Sequence, residues 1–139
     1  MTIDSDAREQ RVDSAIADYL DALDWVRSLG GVDACIGRCD RNLAVIEQFV
    51  ESNDWIQFLA SDPAIRSNTS VCLSVDLEAG QVKQLVALLA EEGAAYDIGA
   101  YRAAPAGLRI WCGATVESDD VEKLMPWLEW GYQQVKESE

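Results

Sequence analysis

Two arginines lie close together in a stretch of the chain that holds no acidic side chain. Arg102 and Arg109 are seven positions apart within residues 99–114, among glycine, alanine, proline and aromatic residues. An arginine guanidinium is a rigid fork of donors that binds a carboxylate or a phosphate at two points. The pair therefore indicates an anion site, although two solvated surface arginines would show the same pattern.

The residues around these arginines predict how they are positioned. Residues 108–112, LRIWC, alternate as a β-strand with one buried face. Arg109 shares a face with Trp111, and the apolar residues of the segment point to the other face. The preceding loop holds Arg102 together with a proline and a glycine, which bend the chain back toward the strand. We therefore expect the two guanidinium groups to reach one edge of the sheet.

Helical periodicity occurs in four segments, each ended by a recognisable signal. The predicted helices start at Ser14, Val32, near residue 79 and at Asp119, and the first ends at Gly30-Gly31. In the last helix, Asp119 and Glu122 resemble a capping box, and Pro126 predicts a kink. The second helix has a narrow apolar seam suited to packing against the first helix or a partner. Residues 1–13 show no period and are predicted to be a flexible lead-in.

Strands are predicted between these helices, over residues 54–60, 70–77, 95–98 and 108–112. The order is helix, helix, strand, strand, helix, strand, strand, helix. It favours an α+β fold, in which a small, mostly antiparallel sheet carries helices on one face and is preceded by two helices. Residues 14–139 are expected to form one domain.

Charge excludes several classes of partner. The formal net charge is −14, whereas nucleic acids and anionic membrane surfaces require clustered Lys and Arg. The longest apolar run, residues 85–90, is far shorter than a bilayer-spanning segment, and no signal peptide is recognisable. Residues 66–115 hold 5 acids and 4 bases, so an anionic small molecule would meet the least repulsion there. We expect a soluble, cytoplasmic protein.

The chain contains no histidine, which excludes Ser-His-Asp and Cys-His catalysis and the usual zinc sites. Cys35, Cys39, Cys72 and Cys112 do not have the spacing of a disulfide framework. The first two are one helical turn apart and could hold half of a metal site. Buried free thiols are the commoner explanation, so no metal is predicted.

Several longer segments resemble a known family. RSNTSVCLSV (66–75), EEGAAYDIGAYRAAPAGLRIWCGATVE (91–117) and LMPWLEWGY (124–132) are similar to the C-terminal small domain of phosphoserine aminotransferases. These are class V, fold-type I enzymes that depend on pyridoxal phosphate. DYLDALDWVRSLGG (18–31) resembles the segment that joins their large domain to the small one. The resemblance extends from Ala15 to Val135.

The resemblance implies a function for the arginine pair. The family transfers an amino group between glutamate and 3-phosphohydroxypyruvate in L-serine biosynthesis. Arg102 would then hold the substrate phosphate, and Arg109 would hold the substrate carboxylate. Tyr101 stands where many relatives have histidine, and as a third substrate-binding residue it would donate one uncharged hydrogen bond.

The resemblance also implies what this chain lacks. An aminotransferase needs a lysine that forms a Schiff base with pyridoxal phosphate, and the family carries it on the large domain. The lysines here, Lys83, Lys123 and Lys136, are predicted to face solvent. We therefore expect no catalytic residue, no cofactor bound by this chain alone and no activity by itself.

The expected partners are a phosphorylated amino or keto acid, a large domain that binds pyridoxal phosphate and a second copy of the chain. A homodimer would cover apolar surface that the large domain otherwise covers. The alternative is a module that binds an anionic metabolite, or docks to another domain, without catalysis.

Overall fold

The computed structural model describes residues 5–138, with side chains from residue 10 onward. Four α-helices and three β-strands follow one another in this part of the chain. They are α1 (Ser5–Leu29), α2 (Val32–Glu51), β1 (Ile56–Phe58), β2 (Ser70–Val75), α3 (Ala79–Glu91), β3 (Leu108–Trp111) and α4 (Ser118–Glu137). A short 3-10 helix, Pro63–Ile65, lies between β1 and β2. The predicted α+β class is confirmed.

The chain divides into two compact units, Met1–Gly37 and Arg38–Glu139. In the first unit, α1 begins at Ser5, well before the predicted start at Ser14. Residues 5–13 include several good helix formers, which extend the helix without an apolar period. Residues 1–4 of the expected lead-in lie outside the described residues.

Two glycines end α1, as predicted. Gly30 and Gly31 have φ angles of 109° and 87°, in the left-handed region that favours glycine. Their N–H groups donate to the carbonyls of Arg27 and Val26 at 3.1 and 2.9 Å. These bonds satisfy carbonyls at the end of the helix that would otherwise lack donors.

The sheet of the second unit has the order β1-β2-β3, and both pairings are antiparallel. The predicted strand over residues 95–98 is wrong, because this part of the chain pairs with β3 only through an isolated bridge between Gly99 and Leu108. Asp97 has a φ of 54°, and a residue in the left-handed region interrupts an extended run.

Helices cover one face of this sheet, as expected. The buried residues of β2 and β3 are Val71, Leu73, Leu108 and Ile110, and they form one cluster with Leu85 and Leu89 of α3 and Leu128 of α4. Leu85, Leu89 and Leu128 have no measurable exposure. In α2, Ile46 joins this core, whereas Val32 and Ile36 near the start of the predicted seam are 68% and 48% exposed.

The start of α4 differs from the prediction. Glu117 is the N-cap and the helix begins at Ser118, so Asp119 lies in the first turn and does not form the predicted capping box with Glu122. A carboxylate in the first turn is still favoured by the helix dipole. The helix continues through Pro126, and the kink at that residue stays a prediction.

Two α2 side chains hold the segment that follows β3. Asn42 is fully buried, and its amide N–H groups donate to the carbonyls of Cys112 and Val116, each at 3.0 Å. Its oxygen accepts a hydrogen bond from the Ser118 hydroxyl at 2.8 Å. Arg38 donates through Nε to the Ala114 carbonyl at 2.6 Å. These bonds fix the end of β3, which carries part of the predicted site.

The four cysteines are free, and Cys39 and Cys112 are buried. Burial, and to a lesser extent the neighbouring Cys39, raises the pKa of Cys112 to about 11, so its thiol is protonated at neutral pH. The described residues hold no cluster of three or more side chains that could ligate a metal ion. Among the described helices, none combines the length and apolar composition that a bilayer crossing needs.

Candidate functional site

β3 places Arg109 on the sheet face that the helices leave open. Arg109 pairs with Cys72 of β2, and its neighbours Leu108 and Ile110 point into the core. Trp111 lies on the open face and is 58% exposed. The orientation of Arg109 predicted from strand alternation is therefore confirmed.

The loop that carries Arg102 folds back along β3. The Ala100 N–H donates to the Gly107 carbonyl at 3.2 Å, and the Arg109 N–H donates to the Ile98 carbonyl at 2.8 Å. A side chain on Gly107 would clash with the backbone carbonyl of Leu73, so glycine is required where the loop returns to the sheet. The predicted return of the loop is confirmed.

Tyr101 lies across Arg109. The centroid of its ring is 4.7 Å from the Arg109 guanidinium carbon, which is a cation–π distance. Its hydroxyl is 3.2 Å from the Ser70 hydroxyl on β2. Tyr101 thus spans from its own loop over Arg109 to the middle strand, while remaining 53% exposed.

The guanidinium of Arg109 is only partly satisfied. Nη2 donates to the Asp97 carboxylate at 3.3 Å and to the Asp97 carbonyl at 3.4 Å. The Asp97 side chain is 93% exposed, and ion pairs of this kind contribute about 0–1 kcal/mol. Nε is buried and has no acceptor among the described residues. Arg109 therefore keeps a donor for an incoming anion, and its present acid partner is solvated.

Arg102 is exposed in the turn that the Ala104 N–H closes on the Tyr101 carbonyl at 2.9 Å. It makes no hydrogen bond or ion pair with any described residue. The structure brings Tyr101 to Arg109 and shows no contact between Arg102 and Arg109. The substrate-binding roles of Tyr101, Arg102 and Arg109 stay predictions.

The other side of the loop faces α3 across a cleft of about 470 Å³. Alanine is the most frequent residue in its lining, which also includes Val82, Val86, Tyr101 and Lys83. Lys83 is exposed on α3 and does not reach Arg109 in any described contact.

Two residues of the site were not predicted from the sequence. Ser70 belongs to the polar positions of β2, but the alternation does not show which of them lies beneath Tyr101. Asp97 precedes the predicted loop, and nothing in the spacing connects it to Arg109. Both contacts depend on the register of β2 and β3 and on the path of residues 97–107.

Comparison with known proteins gives consistent results by sequence and by fold. The phosphoserine aminotransferases of Methanosarcina mazei and Methanosarcina barkeri are each 54% identical to this chain over 119 residues. That alignment covers 86% of this chain and 32% of each relative. The chain therefore spans about a third of the length of these relatives. No family model matches the chain.

Solved phosphoserine aminotransferases share the fold. The enzyme from Bacillus circulans subsp. alkalophilus superimposes with a TM-score of 0.69 at 18% identity, over 80% of this chain and 30% of that one. A phosphoserine aminotransferase studied for radiation damage of its Schiff base gives a TM-score of 0.68 at 22% identity, with the same coverage. The resemblance noted in the sequence is confirmed: this chain is related to the phosphoserine aminotransferases over about a third of their length, the size of a small domain.

Proposed function

We propose that this chain is the substrate-binding small domain of a phosphoserine aminotransferase, an enzyme that transfers an amino group between glutamate and 3-phosphohydroxypyruvate in L-serine biosynthesis. The sequence identity of 54% to curated relatives supports the assignment. The observation that carries it is the Arg109 Nε–H, which is buried beside Tyr101 without an acceptor. Buried donors in proteins are nearly always paired, so this one is expected to have a partner, and the proposal assigns that place to the substrate carboxylate.

The arrangement suits a substrate with a carboxylate and a phosphate. A carboxylate at Arg109 accepts hydrogen bonds from Nε and from an Nη, the two-point geometry that arginine favours. Its entry requires Tyr101 to move away from the guanidinium, and it displaces the exposed Asp97 carboxylate. Arg102, one residue along the chain from Tyr101 and exposed, then meets the phosphate. Once separated from Ser70, the Tyr101 hydroxyl supplies an uncharged donor.

The residues of this chain do not fit pyridoxal phosphate. The cofactor supplies the electron sink of transamination, and it needs a buried lysine near an acid that pairs with its ring nitrogen. Lys83 and Lys123 are exposed, and Lys123 lies 3.4 Å from Asp120 on the surface of α4. Lys136 lies over the Tyr132 ring. The chain by itself is therefore inactive in this proposal.

The proposal includes a protein partner that supplies the cofactor and its lysine. Such a large domain corresponds to the part of the relatives that this chain does not span. Self-association is a second way to cover exposed apolar side chains. A cytoplasmic location fits the four free cysteines, since cytosolic thiols are kept reduced.

Phosphoserine titration, followed by NMR of the arginine Nε–H signals, tests the site. We expect the Arg109 signal to shift as Nε gains a charged acceptor. Arg102→Ala and Arg109→Ala should each weaken phosphoserine binding about tenfold or more, because each removes charge-assisted hydrogen bonds. Serine has no phosphate, so its binding should depend on Arg109 and be insensitive to Arg102→Ala.

Arg41→Ala is the matched control, since Arg41 is an exposed arginine on α2. It should leave the phosphoserine titration unchanged. If Arg109 Nε–H does not respond to phosphoserine at millimolar concentration, or if Arg41→Ala weakens binding as much as Arg102→Ala, the proposal is wrong.

A further inference from the structure

Two tryptophans of α4 form a corner beside the end of α3. The rings of Trp127 and Trp130 are nearly perpendicular, at 88°, and their centroids are 5.4 Å apart. Together with Pro126 and Glu92 they line an open cleft of about 410 Å³. Small-molecule sites in proteins occupy about 300–1,000 Å³. The cleft is therefore large enough to hold a small ligand.

This cleft lies on the helix-covered side of the sheet, away from Arg109. In α4, Leu128 is buried in the core and Gly131 packs against Leu85 of α3. Trp127, one residue before Leu128, is instead 38% exposed. The large domain proposed above would meet the open face of the sheet, where Arg109 lies. The exposure of Trp127 therefore has another explanation than the absence of that domain.

The lining of the cleft has the chemistry that attracts an organic cation. The face of an aromatic ring, and of indole above all, attracts a cation within about 6 Å of its centroid. Glu92 adds a carboxylate and is the C-cap of α3, at the end where the helix dipole is negative. None of the four lining residues is basic. The net charge of −14 also concentrates cations near the molecule.

No basic side chain of the described part of the chain already occupies this corner. Elsewhere such contacts do form within the molecule, and the Arg66 guanidinium carbon lies 3.9 Å from the centroid of the Phe58 ring. Among the described residues, no Lys or Arg makes a comparable contact with Trp127 or Trp130, and none forms an ion pair with Glu92. The aromatic faces and the carboxylate are therefore available to a ligand.

We propose that Trp127, Trp130 and Glu92 form a binding site for a small quaternary ammonium ion. The methyl groups of such an ion pack against the two rings, and its charge lies near the carboxylate. A quaternary nitrogen has no N–H group, whereas a primary ammonium has three donors that need acceptors. The lining side chains provide one carboxylate and no other acceptor, because indole only donates and proline does neither. The quaternary ion therefore fits best.

Choline titration of the full chain, followed by NMR of the tryptophan indole N–H signals, tests this site. We expect the signals of Trp127 and Trp130 to shift together at millimolar concentration. The signal of Trp111, on the open face of the sheet, should stay unchanged. The neutral comparison is the alcohol in which a tert-butyl group replaces the trimethylammonium group of choline. It should bind about fivefold more weakly or worse, because it keeps the shape and lacks the charge.

Variants separate the contributions of the ring and of the carboxylate. Trp127→Leu should weaken choline binding about fivefold or more, since leucine is apolar and has no aromatic face. Glu92→Gln should weaken it about threefold, because the shape is kept and the charge is removed. Glu91→Gln is the matched control, since Glu91 is an exposed acid one residue away that does not line the cleft. It should leave the choline dissociation constant unchanged.

Several results would overturn the proposal. They are equal binding of choline and its neutral analogue, equal weakening by Glu91→Gln and Glu92→Gln, wild-type affinity in Trp127→Leu, or no shift of either indole signal at millimolar choline. Because Glu92 is exposed, Glu92→Gln tests the site even where Trp127→Leu disturbs folding. No variant changes Tyr101, Arg102 or Arg109, so the outcome is independent of the function proposed above.

Discussion

The guanidinium of Arg109 has a different environment on each of its sides. One edge has the exposed acid Asp97, one face has the Tyr101 ring, and Nε has no acceptor among the described residues. A buried donor without a partner costs about 1–3 kcal/mol. A ligand carboxylate that accepts a hydrogen bond from Nε would recover that free energy. The Arg109 guanidinium is therefore incompletely hydrogen-bonded in the chain alone and suited to binding an anion.

The Tyr101 ring is the aromatic group next to this donor, with its centroid 4.7 Å from the guanidinium carbon. In Tyr101→Ala we expect the Arg109 Nε–H to exchange with water about tenfold faster or more, because the ring that covers the guanidinium is removed. Proton exchange at the arginine Nε–H, measured by NMR, reports this directly.

Ser70→Ala distinguishes the effect of the Tyr101 hydroxyl contact with Ser70 from the effect of the ring contact with Arg109. It removes the hydroxyl partner and keeps the ring, so exchange should rise less than in Tyr101→Ala. Equal exchange in the wild type and in Tyr101→Ala would show that the ring does not cover the donor.

At the scale of elements, local patterns predicted the helices and strands whose faces are buried. The apolar stripe of α3 contains the buried Val82, Leu85 and Leu89, and Gly93 ends the helix with a φ of 71°. The patterns gave the wrong boundary where a tertiary contact determines the residue at which a helix starts. Asn42 of α2 accepts from the Ser118 hydroxyl, so α4 starts before the predicted cap at Asp119.

Close approach of α3 and α4 depends on Gly131. A Cβ there would lie 2.6 Å from Leu85 Cδ1, and Leu85 is fully buried. Overpacking costs about 1–3 kcal/mol, which exceeds the gain of up to about 1 kcal/mol from alanine in a helix. We therefore expect Gly131→Ala to lower the free energy of unfolding in denaturant titrations.

Gly80 provides the matched comparison, because a Cβ there has no neighbour within 4 Å. Gly80→Ala should raise the free energy of unfolding by a few tenths to about 1 kcal/mol. A stabilising effect of Gly131→Ala would mean that Leu85 moves aside easily, contrary to the packing described.

At the scale of the whole molecule, acidic segments flank a nearly neutral centre. The net charge is −14, yet residues 66–115 are almost balanced. These residues form β2, α3, the loop that carries Arg102, and β3. Long-range repulsion of any anionic ligand is therefore least where Arg102 and Arg109 lie.

The whole chain is also predicted to lack a specific site for pyridoxal phosphate. After incubation with the cofactor and reduction with borohydride, mass spectrometry should find partial labelling spread over Lys83, Lys123 and Lys136, because none of them is buried. The unfolded chain, labelled in denaturant, should show a similar distribution. A single stoichiometric adduct on the folded chain would contradict this expectation.

The sequence by itself determined the α+β class and the outward direction of Arg109, because side chains in a strand alternate with a period of two. The spacing of Arg102 and Arg109 indicated an anion site, and the resemblance to a family added Tyr101 as a candidate. Only the tertiary structure brought Ser70 and Asp97 to the site and left Nε of Arg109 unpaired. Strand register and loop path depend on contacts between residues far apart in the chain, and local periodicity carries no information about them.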